Sequence, residues 1–365
     1  MKKPKSGKKH TLLTVLLSVA TALVVLANVG WGALSVSLYD ENFNQRFESY
    51  EPITYRLEDF EGLKREKYEF PSDKGQMLTG YLYTAGQEAP RGIIILAHGF
   101  GGGGHNSYMD CANYFAQHGY AVFAYDATGN DESEGDGVGG VPQGTVDLDY
   151  AISFVEDSGK FPSLPIGLFG HSWGGYSVCS VLTYHPEVKA VIECAGCNRS
   201  SDLFEAGGKR QAGDVIYTMM PFVKLHEWVH YGKYASNTAL KGFGASDAAV
   251  MVVHSEDDDI VPIAYGYDTF YEANKDDPRF VFKRYKDKGH NDIFNDSPYG
   301  DELNAAIKEW RETLDYDTDA AENKERFQKD KADYIHAHLD RSKWSNRLDQ
   351  TMFAEFLAFY NDHLV

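Results

Sequence analysis

After its first ten residues the chain runs uncharged and mostly apolar over residues 11–39 and then changes character. Wound as a helix at about 1.5 Å per residue, that stretch is about 42 Å long, more than a hydrocarbon core of about 30 Å requires. From residue 63 onward, short apolar runs alternate with longer amphipathic windows. Residues 67–70 and 77–83 flank the turn signal Ser72-Asp73-Lys74-Gly75 and predict an antiparallel hairpin. Ile93–Ala97 is a continuous apolar run, the pattern of a strand buried on both faces. Residues 120–125, 166–169, 188–193, 250–253 and 280–285 repeat it. Helical windows fall at 107–118, 145–157, 173–184, 263–273 and 352–364. This alternation predicts an α/β fold with a mostly parallel central sheet and helices on both faces.

Two stretches interrupt the alternation. Residues 198–247 are too long for an ordinary loop and carry Phe204, Tyr217, Phe222, Trp228, Tyr231, Tyr234 and Phe243. They are expected to fold over the sheet as a lid, with Leu225, Trp228 and Val229 packing downward. Residues 291–350 read as a second insertion, charged and helical. The expected organisation is a basic tail at 1–10, a membrane anchor at 11–39, a lead-in segment at 40–62 and one domain over 63–365.

Charge gives the first segment an orientation. Lys2, Lys3, Lys5, Lys8 and Lys9 precede the apolar stretch, and no acid occurs before Asp40. A lysine cluster holds that end in the cytoplasm, so the remainder is expected outside, on a single-pass protein of the cell membrane. A cleaved signal peptide is the alternative, with Val25 and Ala27 as small residues at a cleavage site, and it yields a secreted protein. Its apolar core over 12–27 is longer than the usual signal core. The whole chain has 35 Lys plus Arg against 54 Asp plus Glu, a formal charge of −19. Such a surface repels phosphate backbones, so nucleic acid is not an expected partner. Four cysteines in 365 residues are too few for a disulfide framework.

The candidate chemistry centres on Gly170-His171-Ser172-Trp173-Gly174, a G-x-S-x-G string with an apolar strand before it and a helical window after it. That setting pushes a serine hydroxyl clear of the backbone on a tight turn. A serine nucleophile needs a base, and the base needs an orienting acid. The strand at 250–253 leads into Glu256-Asp257-Asp258-Asp259, where Asp258, four residues before Pro262, is the preferred acid and Asp257 and Asp259 stay open. The next strand ends at Lys288-Gly289-His290-Asn291, which makes His290 the base. Backbone N–H groups of Trp173 and of Phe100, within His98-Gly99-Phe100-Gly101, are the expected oxyanion donors. His98 reads as a buried structural histidine.

His98-Gly99-Phe100, residues 126–135, 170–174, 255–262 and Gly289-His290 together resemble the α/β-hydrolase superfamily, within it the serine aminopeptidase-like and monoacylglycerol-lipase-like branch. The resemblance spans roughly residues 65–285 plus the final helix. It implies Ser172 as nucleophile, Asp258 as acid and His290 as base, with a small ester or short peptide as substrate and no cofactor or metal. Two departures stand out. Thr128 and Asp131 replace an arginine and a glycine of the family's pattern, and Ser255 stands where glycine is usual.

A rival motif is His226-Glu227-Trp228-Val229-His230, a literal H-E-x-x-H. On a helix its histidines would share a face and could bind zinc, with Glu227 as general base. Lys233 and Ser236 stand where the longer zinc-protease pattern has glycine and histidine, and no zinc-protease scaffold surrounds the string. The expectation is therefore a membrane-anchored serine hydrolase. The alternatives are a zinc metalloprotease using His226 and His230, and a non-catalytic surface protein of the same fold.

Overall fold

In this computed structural model residues 7–86 and 89–364 are described, with side chains from residue 12 on. Lys2, Lys3 and Lys5 of the basic tail lie outside the described residues. The first helix, α1 (Gly7–Phe43), is continuous. Its portion Leu12–Phe43 is long and apolar enough to cross a membrane, and none of its most apolar window is buried. The helix outruns the apolar stretch, because Asp40, Glu41 and Asn42 are tolerated in a last turn that packs on the rest of the chain. The lead-in after it holds two short 3-10 turns.

Eight strands follow: β1 (Leu63–Pro71), β2 (Met77–Ala85), β3 (Ile93–Ala97), β4 (Ala121–Tyr125), β5 (Ile166–His171), β6 (Ala190–Cys194), β7 (Ala249–Ser255) and β8 (Phe280–Tyr285). They form one sheet in the order β1-β2-β4-β3-β5-β6-β7-β8. The first two ladders are antiparallel and the others parallel, with Ile93 opposite both Ala121 and Ile166. Side chains alternate across the strands, so Ile93, Ile95 and Ala97 enter one core and Ile94 and Leu96 the other.

Helices cover both faces. On one lie α3 (Gln143–Asp157), α4 (Trp173–Ser180) and α8 (Tyr267–Asn274), through Leu148, Val178 and Phe270. On the other lie α2 (Met109–Gln117) and the final α12 (Gln350–His363), through Phe115, Phe353 and Tyr360. The Tyr360 hydroxyl donates to Leu168 O at 2.7 Å and fixes α12 beneath β5. The predicted helix over 263–273 divides into a 3-10 turn and α8, because Gly266 (φ −119°, ψ −94°) is not helical.

Residues beyond β6 form α5 (Ser200–Ala212), α6 (Ile216–Tyr231) and α7 (Ala239–Ala245); those beyond β8 form α9 (Tyr299–Arg311), α10 (Lys324–His338) and α11 (Arg341–Ser345). One expectation for α6 is reversed. Leu225, Trp228 and Val229 do not pack downward but are 56%, 58% and 64% exposed. The buried stripe is Met219, Met220, Val223, Glu227 and Tyr231. A glutamate can take an inward place there because two hydroxyls meet it: Tyr39 donates to Oε1 at 2.6 Å and Ser200 to Oε2 at 2.7 Å.

Candidate active site

β5 ends at His171 and α4 begins at Trp173, and between them Ser172 adopts φ 56°, ψ −115°. A side chain in that region is strained and persists only where its surroundings impose it. Here they do. A Cβ on Gly170 would lie 2.3 Å from Gly174 O, and one on Gly174 would lie 2.0 Å from Ala97 O. Only glycines let β5, α4 and the end of β3 close this tightly, and the closure throws the serine hydroxyl outward.

The parallel strands deliver their following loops to the same end of the sheet. His290, beyond β8, lies with Nε2 at 2.9 Å from Ser172 Oγ and Nδ1 at 2.7 Å from Asp258 Oδ2, beyond β7. All three side chains are buried. Asp258 Oδ1 accepts the N–H groups of Ile260 and Val261 at 2.9 and 2.8 Å. Burial opposes its charge, but bonds from His254, His290 and the backbone outweigh burial and hold the carboxyl well below its usual range.

Of the neighbouring acids, Asp257 is exposed and accepts from Ser255 Oγ at 2.5 Å and Gly289 N at 3.0 Å. Ser255 Oγ in turn accepts Lys288 N at 3.0 Å. Asp257 and the unusual serine thus shape the turn that presents His290. Asp259 is exposed and lends only its carbonyl oxygen, to Arg210.

Trp173 opens α4, so its N–H is one of the first-turn donors that lack an intrahelical acceptor. Its indole donates to Val141 O at 2.7 Å. Phe100 follows β3, and its ring stands edge-on to Trp173 at 5.4 Å. Phe100, Ser172 and His290 line one cleft of about 510 Å³. Phe43, Leu203 and Ile260 also line it, as do the polar Asn291, Asn295 and Arg347.

Three residues that sequence reasoning did not single out complete the arrangement. Gly99 N donates to the Tyr108 hydroxyl at 3.0 Å, and that hydroxyl lies 2.7 Å from His171 Nδ1. His171 Nε2 then meets His290 O at 3.1 Å. Burial, with His290 adding to it, pushes His171 down to about 3, so the ring is neutral and donates from Nε2. The chain of bonds ties the loop after β3 to the backbone of His290. His254, fully buried, places Nε2 2.8 Å from Val261 O and 3.2 Å from Asp258 Oδ2, a second imidazole on the same carboxylate. Nothing in the spacing of Tyr108, His171 or His254 announces these contacts; each depends on the packed sheet.

The departures at 128 and 131 are absorbed by other bonds. Thr128 donates from N and Oγ1 to Asp147 at 2.8 and 3.0 Å. Asp131 (φ 35°) accepts from Ser49 N and Oγ, both at 2.6 Å, and from Gly104 N at 2.8 Å. His98 donates from Nδ1 to Gly99 O at 2.7 Å and accepts Ala127 N at Nε2, a structural corner.

The H-E-x-x-H residues do not fit a zinc centre. Glu227 is turned inward onto Tyr39 and Ser200, His226 Nε2 pairs with Asp40 at 3.3 Å, and His230 Nδ1 bonds His226 O. Among the described residues no third ligand groups with the two rings; the single candidate cluster is Glu156, His185 and Glu187. There both ring nitrogens of His185 already meet carboxylates, Asp149 at 2.9 Å and Glu187 at 2.8 Å. Cys194 and Cys197 are free and buried.

The family described as serine aminopeptidase, S33, matches residues 88–227. A monoacylglycerol lipase of Mycolicibacterium smegmatis is 25% identical over 238 residues, 55% of this chain and 81% of that one. A 31.7 kDa Escherichia coli protein is 35% identical over 102 residues, 27% of this chain and 35% of that one. An esterase of Pyrococcus furiosus superposes with a TM-score of 0.54 at 16% identity, covering 73% of this chain and 96% of that one, a likeness of fold. The chain has the α/β-hydrolase fold. The cleft lies where this fold places sites, beyond the carboxyl ends of β3, β5, β7 and β8, and takes in residues from α1 and α5.

Proposed function

We propose that this hydrolase cleaves carboxylic esters, and more slowly amides, through an acyl-enzyme on Ser172. The observation that carries the reading is the line of hydrogen bonds from Ser172 Oγ to His290 Nε2 (2.9 Å) and from His290 Nδ1 to Asp258 (2.7 Å), inside a cleft open to a small molecule. Ser172 Oγ attacks the carbonyl carbon while its proton passes to His290 Nε2. The carbonyl C–O bond to the alcohol then breaks, and His290 returns the proton to the leaving oxygen. Water repeats the sequence against the acyl-enzyme and releases the acid. Asp258, kept ionised, holds His290 with Nδ1 protonated and stabilises the imidazolium. The N–H groups of Phe100 and Trp173 receive the charge on the carbonyl oxygen. The similarity to a monoacylglycerol lipase supports an acyl ester as substrate.

The same reading takes α1 as a single-pass anchor with the catalytic portion outside the cytoplasm. Support comes from the exposed apolar face over residues 12–29 and the lysines before it. The test is fluorophosphonate labelling of the full chain in detergent, wild type against Ser172→Ala, with and without a chelator. Labelling that vanishes only in Ser172→Ala is expected. A folded wild type that stays unlabelled refutes the serine reading, and loss of activity in chelator alone would favour the metal alternative.

A further inference from the structure

Four aromatic rings meet at the loop that follows β3, and two of them come from the N-terminal segment. Phe43, on the last turn of α1, stands 5.3 Å from Phe100, and Phe47, just beyond the helix, stands 4.9 Å from it. Trp173 closes the far side of Phe100 at 5.4 Å. Phe43 lines the cleft that holds Ser172 and His290, whereas Phe47 packs on Phe100 without lining it.

Phe43 is also held in place. One turn upstream, Tyr39 is fully buried, donates to Glu227 at 2.6 Å and accepts Val141 N at 2.9 Å. Downstream, Phe47 N bonds Gly129 O and Asp131 N bonds Phe47 O, each at 3.0 Å. Ser49 then bonds the Asp131 carboxylate that also takes Gly104 N. Both flanks are thus bonded to the domain and fix the backbone that carries the ring, and the ring itself packs on Tyr39, Phe100 and Phe204. Phe100, Leu203 and Ile260 add further apolar groups to the cleft lining, and Asn42, Arg210, Gln211, Asn291 and Arg347 add polar ones. A packed aromatic ring on the wall of such a cleft limits how long a chain the cleft admits, because an acyl methylene that meets it must displace it or stay out.

We propose that Phe43, delivered by the N-terminal helix, is a specificity-determining residue that limits the length of the acyl group accepted at Ser172. The proposal rests on the serine-hydrolase reading above. Phe47, packed on Phe100 but outside the cleft lining, acts as a positioning residue for the Phe100 loop and is indifferent to acyl length.

The experiment compares kcat and KM of the full chain in detergent on acetyl and octanoyl p-nitrophenyl esters, with fluorophosphonate labelling of every variant. Phe43→Ala is expected to raise the octanoyl-to-acetyl ratio of kcat/KM by about tenfold, chiefly through KM, with labelling retained. Phe43→Leu should restore most of the wild-type ratio. Phe43→Trp, which narrows the cleft and keeps the packing on Tyr39, should lower the ratio, so the proposal does not depend on the alanine variant folding. Phe47→Ala should lower kcat on both esters in proportion. Labelled Phe43 variants whose ratio stays within about twofold of wild type, or which fall on both esters in proportion as Phe47→Ala does, overturn the proposal alone. A wild type that neither labels nor turns over overturns the serine reading and this inference with it.

Discussion

Glu227 is a carboxyl group with no access to water, and its proton should be measurable. Burial pushes it from 4.5 up to about 7, nearby Asp202 adds to the rise, and the hydroxyls of Tyr39 and Ser200 pull it part of the way back. In the unfolded chain it ionises near its ordinary value. Between the two, the folded protein holds a proton that the unfolded chain has lost. The stability tied to that proton is therefore complete below pH 4.5 and drains away as the pH rises through 7. At about 1.4 kcal/mol per pH unit the whole loss is about 3 kcal/mol. Glu227→Gln keeps the shape and an acceptor for Tyr39 but cannot ionise. Its stability relative to wild type should improve by about 3 kcal/mol between pH 4.5 and pH 8. Glu193, pushed up to about 7, and Asp147 and Asp202, each to about 6, also tilt the wild-type profile. They are present in both proteins, so most of their contribution cancels in the difference. The assay is urea unfolding of the full chain in mild detergent at both pH values, followed by tryptophan fluorescence. Infrared spectroscopy adds a direct reading, a protonated-carboxyl band that titrates near pH 7 and is lost in the variant. A wild-type-minus-variant difference that does not change with pH would refute the assignment of a buried, protonated Glu227.

Asp258→Asn should leave the fold intact and lower kcat by about 10⁴-fold, since an amide on His290 Nδ1 no longer holds the ring in its donating tautomer; steady-state kinetics with near-ultraviolet circular dichroism checks both. Gly174→Ala places a methyl 2.0 Å from Ala97 O and 2.7 Å from Ala97 C, both backbone atoms that cannot turn aside. It should cost about 1–3 kcal/mol in urea unfolding and abolish probe labelling by displacing the elbow. Tyr108→Phe removes the hydroxyl between Gly99 N and His171 Nδ1. It should lower kcat by about tenfold with KM little changed, because the loop bearing Phe100 loses its tie to His290.

The contrast between what was legible in the chain and what was not follows from the range of the interactions. The strands read directly because each is an apolar run bounded by turn residues, and the G-x-S-x-G string could be placed on a strand–helix junction for the same local reason. The order serine, acid, histidine maps onto β5, β7 and β8 because parallel strands send their following loops to one end. α6 was misread. A stripe of Leu225, Trp228 and Val229 looks inward until Tyr39 and Ser200, far away in sequence, are known to satisfy Glu227. The helix α1 runs past the uncharged stretch for a related reason. Asp40 and Glu41 close the apolar pattern, yet the packing of Tyr39 on α6 carries the helix on to Phe43. The contacts of Tyr108, His171 and His254 have no periodicity at all and exist only once the sheet is closed.

The unbroken course of α1 also bears on how the domain sits in space. Many tethered enzymes hang from a flexible linker and sample a hemisphere of positions above their membrane. Here the helix passes from its exposed apolar stretch into the domain without a hinge, and Trp31, Tyr39 and Phe43 bolt it to α6 and the neighbouring loops. From Val29, the last residue of the strongly exposed run, to Phe43 is about 21 Å of helix. On the proposed anchoring, the domain is joined to its membrane helix by continuous helix and not by a linker, so the height of the cleft mouth is set by that helix.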